Sequence, residues 1–395
     1  MHAVLITGFD SSLKWASRLA EALAARGIEP RLVAPTSVAA HRLGDAQIRA
    51  VTERPVRTAA WPQLVAEAAA ADVAVPVLDG PNVERFFRDV HATGGRPVLG
   101  AGYVGMVLYD TVSGYLGRSL ADVLAVNSRT DHAAFRLAAT ELGLPDGNLL
   151  LTGLALLPAA PAAPRRGPIR TVLLADQPTV PRQEADRVLL WDRLLRYAER
   201  HPDRQVLLKP RHRPGEDTFH RMRVAPETWA ASRDLPPNLR IDHTPIDRQA
   251  GAVDLLLTVS STAALEAVAA GTRVAFVADR VDDGSLNPPL LPSGLLRRFE
   301  QIERDELGEP HPEWLADVFP AADGLAPAER FAERLAAVAA GDAPRLHDAL
   351  WDSGVHRARR ETEAARASFG SARRRLTPRR IAAGGLRRAL AVLVR

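Results

Sequence analysis

Short apolar runs and stretches with an apolar residue every three or four positions alternate along most of this chain. The run AVLIT (3–7) leads into SSLKWASRLAEALAARG, where Leu13, Ala16, Leu19, Ala20 and Leu23 fall at helical spacing and Gly27 supplies the stop. The runs PRLVAP and QIRAVT follow, then a helix around 61–71 and the strand DVAVPVLDG. Next come the helix VERFFRDVHATGG, the run RPVLGAG and the strand DVLAVNS, with Ser128 placed to cap the helix RTDHAAFRLAATELG before NLLLTG closes the series. Apolar strands separated by helices of this length predict βαβ units and a parallel sheet.

The stretch LLPAAPAAPRRGP (156–168) interrupts the pattern with the composition of a semi-rigid linker. The alternation then restarts with TVLLADQ, a helix over 183–200, QVLLKPR, NLRIDH, DLLLTVSS, the helix TAALEAVAAG and RVAFVAD, and turns mainly helical after about 295. The expectation is an α/β protein of two Rossmann-like domains, 1–155 and 169–330, joined by the linker at 156–168. A helical and basic tail over 331–395 completes the division.

Length and composition agree with two soluble domains: 395 residues, 46% hydrophobic and 25% charged. The chain has no cysteine, which excludes disulfides, thiolate metal sites and cysteine nucleophiles. Its start reads as a first strand, not a signal peptide, and no apolar run reaches the roughly 18–20 residues of a membrane span; a cytoplasmic location is expected. The charge is unevenly spread. From His356 onward twelve arginines face only Glu361 and Glu363, a net of +10, so the whole-chain value of +4 leaves −6 for the rest. This tail mixes arginine with Leu, Ile and Val, suiting either peripheral contact with an anionic membrane or a disordered end. Phe369 is its only aromatic residue, so nucleic acid is not an expected partner.

Of 51 basic residues only Lys14 and Lys209 are lysine, and both lie beside the segments richest in candidate chemistry. In VDLLLTVSSTAALEAVAAG an apolar strand ends in Ser260, Ser261 and Thr262, where a helix begins. Free N–H groups and the helix dipole there attract an anion, and in an open α/β sheet this is the strand end where ligands bind; the same hydroxyls serve equally as plain N-caps. In VLLKPRHRPGE, Lys209, Arg211, His212 and Arg213 leave another strand in a turn stiffened by Pro210 and Pro214. A compact ammonium and a planar guanidinium can hold a phosphate from two sides, and a solvated basic turn is the alternative. In TGFDSSLK, Asp10, Ser11, Ser12 and Lys14 follow the first strand.

The segments GFDSSLKWA, LLADQPTVP, LLKPRHRPGE and TVSSTAALEA, set in two Rossmann-like halves, resemble GT-B glycosyltransferases. The pattern is similar to a group of actinobacterial glycosyltransferases of unassigned chemistry and, more distantly, to bacterial sialyltransferases, polysialyltransferases and capsule or teichoic-acid transferases. The resemblance covers about residues 1–330 and implies two domains facing each other across a cleft. It implies a nucleotide-sugar donor held by Gln177, Lys209, Arg211, His212, Arg213, Ser260, Ser261 and Thr262. The sialyltransferases' Ser-Ser motif falls on Ser260 and Ser261, but their His-Pro motif falls on Lys209-Pro210-Arg211-His212, where that pair is absent. Their acidic-acidic-Gly motif matches Asp282-Asp283-Gly284 only in letters, since it lies in the wrong domain, and LDGPN (78–82) carries one acid. Asp10 is therefore the expected general base, with Ser11, Ser12 and Lys14 on the substrate side; capping of the first helix is the competing reading.

The implied activity is transfer of a sugar, first a nonulosonic (sialic-like) acid from a CMP donor, to a surface or capsular glycan or a lipid-linked acceptor. No metal or cofactor is expected. A CDP-polyol phosphotransferase, a UDP-sugar 2-epimerase and a non-catalytic nucleotide-binding module are the alternatives. GAGYVG (100–105), with Asp122 downstream, spells G-x-G-x-x-G but comes too late and opens no clear helix, so its glycines are expected to permit a tight loop on the acceptor side. No P-loop is present, and no H-E-x-x-H motif or clustered His/Asp set suggests a metal.

Overall fold

The computed structural model describes residues 1–36, 43–107, 111–178, 180–211, 213, 224–279, 288–320 and 323–375. Two all-parallel sheets organise them. The first contains β1 (His2–Thr7), β2 (Glu29–Pro35), β3 (Val56–Ala59), β4 (Val73–Val77), β5 (Val98–Ala101), β6 (Val123–Val126) and β7 (Leu149–Leu151), in the order β3-β2-β1-β4-β5-β6-β7. The second contains β8 (Thr171–Ala175), β9 (Gln205–Lys209), β10 (Leu239–Ile241), β11 (Leu255–Thr258), β12 (Arg273–Val277) and β13 (Leu296–Arg297), in the order β10-β9-β8-β11-β12-β13. Each is a doubly wound arrangement in which strand order reverses once, between β1 and β4 and between β8 and β11.

The central strands are apolar throughout because helices cover both of their faces: Val4, Leu5 and Ile6 of β1 and Leu255, Leu256 and Leu257 of β11 are fully buried. The first helix, Asp10–Ala24, buries Leu13, Ala16, Leu19, Ala20 and Leu23, the stripe its spacing predicts, and Gly27 follows in the left-handed region at φ +73°. Ser128 accepts a hydrogen bond from the Asp131 amide at 3.0 Å and caps the helix Arg129–Glu141 as expected. The run QIRAVT differs from its reading as an apolar run: Asp45–Val51 is a short helix, opened where the Gln47 side chain accepts from the Gly44 amide at 2.9 Å, and the strand is the following VRTA.

The C-terminal helices pack against the first domain. Pro327–Ala340 packs against the first helix and the first sheet, with Phe331 and Leu335 fully buried and Trp15 edge-on to Phe331 at 5.8 Å. Leu346 and His347 donate their amides to the buried Asp122 carboxylate at 2.8 and 2.9 Å. In Gly354–Arg375, Arg359 binds Glu84 through two nitrogens, at 3.1 and 2.7 Å, and Arg360 stacks on Trp351. The chain thus returns to complete its first domain, and part of the basic stretch is spent on that docking. Residues 376–395 lie outside the described residues. Among the described residues no helix is long and apolar enough to cross a membrane.

The segment 156–168 is bound to the second domain, with the amide of Ala162 donating to Ala269 at 2.8 Å and that of Arg165 to Gly271 at 2.7 Å. Apolar residues of both lobes, among them Leu13 and Trp15 from one and Ala264, Leu265 and Val268 from the other, form one contiguous cluster. The lobes are therefore packed together on this side of the molecule.

Candidate functional site

Three neighbouring strands of the second sheet end at one edge. Ala175 of β8 pairs in register with Lys209 of β9, and the Asp176 amide donates to the Lys209 carbonyl at 2.9 Å. On the other side of β8, Thr258 of β11 donates its hydroxyl to the Ala175 carbonyl at 2.9 Å, and the Gln177 side chain accepts the Ser260 amide at 2.8 Å. Lys209 and Ser260 thus lie two strand spacings apart, about 10 Å between backbones, with Gln177 between them. Gln177 and Ser260 flank the point where strand order reverses, the place where open α/β sheets bind ligands.

The helix after β11 is short, Ala263–Ala269, and its start differs from the expected hydroxyl cap. Thr262 adopts helical backbone angles and makes no side-chain cap bond, whereas the Ser261 hydroxyl accepts the Ala263 amide at 3.2 Å. Lys209 points its ammonium back to the Pro210 carbonyl at 3.2 Å. His212 and Pro214 of the basic turn, and Asp282-Asp283-Gly284, lie outside the described residues.

On the first sheet the corresponding edge is the loop after β1. Asp10 begins the first helix there, and its carboxylate stands 3.9 Å from the Arg211 guanidinium of the opposite domain, both side chains partly exposed. One turn on, Lys14 forms an ion pair with Glu266 of the helix Ala263–Ala269, with side chains only 18% and 15% exposed. A ligand for the Lys14 ammonium is therefore already supplied by the other domain. Ser12 is likewise not open to a substrate. It is fully buried, with its hydroxyl 2.7 Å from the Thr7 hydroxyl, 3.0 Å from each of the Gly8 and Phe9 amides that donate to it, and 2.7 Å from the Phe9 carbonyl. Its work is to hold the loop that presents Asp10 and Ser11.

The glycines of GAGYVG serve close packing, not a dinucleotide turn. A Cβ on Gly100 would stand 3.0 Å from Phe331, Leu335 and Val75, and one on Gly102 would stand 2.7 Å from Trp15. A Cβ on Gly105 would come 3.2 Å from the Thr262 hydroxyl, which places this loop at the junction of the lobes. Asp122 belongs to the docking of the C-terminal segment and also accepts the Leu99 amide at 2.8 Å. Asp79 caps its helix by accepting the Asn82 amide at 3.0 Å.

Two residues escaped the sequence reading. Glu266 had a signal, a lone carboxylate on an otherwise apolar helix. Asp176 had none that separates it from any strand-end acid. It is buried beneath the edge, accepts from the Trp191 indole at 3.1 Å, and its Oδ2 has no hydrogen-bond partner among the described residues. Burial pushes its carboxyl up to about 7, against the smaller opposing pull of the Trp191 hydrogen bond and Arg187.

Two doubly wound domains whose carboxyl-end strand edges face one another, joined by a segment and tied by a returning C-terminal helix, define the GT-B architecture. Solved structures share it. A protein from Listeria monocytogenes described as a putative UDP-N-acetylglucosamine 2-epimerase superposes with a TM-score of 0.55 at 14% identity, over 87% of this chain and 98% of that one. UDP-GlcNAc 2-epimerase from Neisseria meningitidis, bound to UDP-GlcNAc, gives 0.53 at 10% identity over 87% and 100%. Arabidopsis thaliana UGT89C1 complexed with UDP gives 0.53 at 11% identity over 86% and 99%. At such identities the likeness is one of fold. No curated protein matches the sequence. The chain belongs to the family described as "Putative glycosyltransferase (DUF6716)", whose model matches residues 3–338, and it is a glycosyltransferase of GT-B type.

Proposed function

We propose that the chain transfers a glycosyl group from a nucleotide-activated sugar on the second domain to an acceptor hydroxyl on the first. The observation that carries this reading is the approach of Asp10 to Arg211, 3.9 Å across the two strand edges. It puts a carboxylate able to accept a proton next to the turn best equipped to receive a departing phosphate. In the reaction the acceptor oxygen forms its bond to the anomeric carbon and yields its proton to Asp10. The bond from the anomeric carbon to the donor phosphate breaks, and the phosphate keeps the electron pair. Lys209, Arg211 and Arg213, with His212 on the same turn and the Ser260–Ala263 backbone, receive that charge, so no divalent ion is required at the phosphate. Gln177 steadies the Ser260 amide from the side. Ser11 borders the acceptor.

By its Ser260-Ser261 pair the donor is read as a CMP-activated nonulosonic acid and the acceptor as a surface or capsular glycan. A thermal-shift panel of CMP, CDP, UDP, GDP and ADP tests the nucleotide, because a ligand that binds only the folded chain raises its melting temperature. CMP is expected to give the largest shift, and Lys209→Ala to weaken nucleotide binding roughly 10- to 100-fold, the size of a lost charge-assisted hydrogen bond. An unchanged shift in Lys209→Ala removes the basic turn from the site. Turnover of CDP-glycerol, or conversion of UDP-GlcNAc without an acceptor, would replace the reading with a polyol-phosphate transferase or an epimerase.

A further inference from the structure

Away from the facing strand edges, His91, His347 and Asp348 come together where the C-terminal segment docks on the first domain. His91 stands in the last turn of the helix Gly80–Ala92. That helix starts after β4 at the edge carrying the site, so His91 sits at the opposite edge of the sheet. His347 opens the short helix His347–Trp351. Nδ1 of His91 is 3.0 Å from Nε2 of His347, and the ligating atoms of all three residues lie within 4.8 Å of one another.

The inner histidine is prepared for more than packing. His347 is 4% exposed, and its Nδ1 lies 2.7 Å from the Leu120 carbonyl. A carbonyl only accepts, so Nδ1 carries the proton and Nε2 turns a lone pair toward His91. Metal-ligating imidazoles have this arrangement, one nitrogen free to bind while the other donates to a carbonyl that sets the ring. The two amides held by Asp122 fix the backbone beneath the ring. His91 is stacked on Trp351 with ring centroids 3.8 Å apart.

The two nitrogens are near a chelating separation, and metal binding would move the proton of His91 from Nδ1 to Nε2 and turn the rings so that both lone pairs converge. Two zinc–nitrogen bonds of about 2.0–2.1 Å at a tetrahedral angle set their nitrogens about 3.4 Å apart, so the rings would separate by roughly 0.4 Å. Asp348, 70% exposed, would leave a loose contact with Arg96 at 3.8 Å, a pair of the kind that contributes little. Arg96 and Arg360 face His91 and oppose a cation, which the Asp348 carboxylate offsets only in part.

The geometry points to a zinc-class divalent metal site formed by His91, His347 and Asp348, with water completing the shell, that clasps the returning C-terminal segment onto the first domain. Two imidazoles and a carboxylate suit zinc, nickel or copper, not magnesium. Its place opposite the strand edges makes it a staple and leaves the transfer chemistry elsewhere.

Tag-free full-length protein stripped with a chelator and titrated with Co²⁺ tests the site. The expected result is a visible d–d band that saturates at about one equivalent, disappears on adding Zn²⁺, and is accompanied by a melting temperature raised by a few degrees. His91→Gln and Asp348→Asn are each expected to weaken Co²⁺ binding at least tenfold while leaving the metal-free melting temperature near that of the parent. If His91→Gln does not fold, the exposed Asp348→Asn decides alone. Absence of a band in the parent protein, or variants that bind as tightly as the parent, overturns the assignment and leaves a hydrogen bond between the two rings.

Discussion

The Asp10 carboxylate and the Arg211 guanidinium lie 3.9 Å apart although one opens the first helix of the first domain and the other follows β9 of the second. Each sits at the carboxyl end of its sheet, and their approach shows that the two edges face one another. If Asp10 is the general base, Asp10→Asn keeps the shape of the side chain and removes its basicity. The expected loss in kcat is about 10²- to 10⁴-fold with KM for the donor little changed. A loss confined to KM, measured by steady-state kinetics, would reduce Asp10 to a partner of Arg211.

Ser12 makes a different prediction from its neighbours. Its fully buried hydroxyl accepts the Gly8 and Phe9 amides, so Ser12→Ala strands one buried and one partly buried donor. Destabilisation of about 1–3 kcal/mol is expected in urea unfolding, together with reduced turnover as the Asp10 loop loosens. Ser11→Ala, which strands neither, should leave stability within about 0.5 kcal/mol.

Lys14 and Glu266 join the domains through one largely buried ion pair. Removing either partner leaves the other charge facing a dry interface, so Lys14→Met and Glu266→Gln should each destabilise by about 1–3 kcal/mol. The double variant should be less damaged than the sum of the two. Additive losses in a double-mutant cycle would show that the two side chains act independently.

His356, 2% exposed and 2.9 Å from the Ser119 hydroxyl, makes the docking of the last helix acid-sensitive. Burial pushes its pKa down to about 4, with Arg359 and Arg360 adding to the effect and Glu84 opposing it. A histidine lowered in the folded chain stabilises it above the unfolded value of about 6.5, and this contribution is lost as pH falls through 4. The shift corresponds to about 3 kcal/mol. Amide-exchange protection across 354–363 should fall between pH 6 and 4 in the parent protein, and this pH step should vanish in His356→Gln.

The alternation of apolar runs with helical stripes was enough to place most strands, because buried parallel strands are continuous apolar segments and their helices carry one apolar face. Where a segment is short and half-polar the pattern is weak. In 45–59 helix and strand therefore differ from the expected placing: side-chain capping at Gly44 decided them. The candidate site was legible as three strand-end segments, since glycine, proline, hydroxyl and basic residues mark the loops that leave strands. Their separate tasks were not. Ser11 and Ser12 are adjacent and identical in type, yet one borders solvent and the other is fully buried.

By itself the sequence determined two βαβ series, the absence of thiol chemistry and the rarity of lysine, all of which are local properties of composition and period. Tertiary structure alone decided that Lys14 meets Glu266 and that Asp10 meets Arg211. It also returned helices of the segment Pro327–Arg375 to the first domain and brought His91 to His347. Each of these contacts joins positions about 200 or more residues apart, or depends on which face of an element is turned inward. Periodicity specifies that a helix has an inner face; only the packing of the whole chain specifies what lies against it.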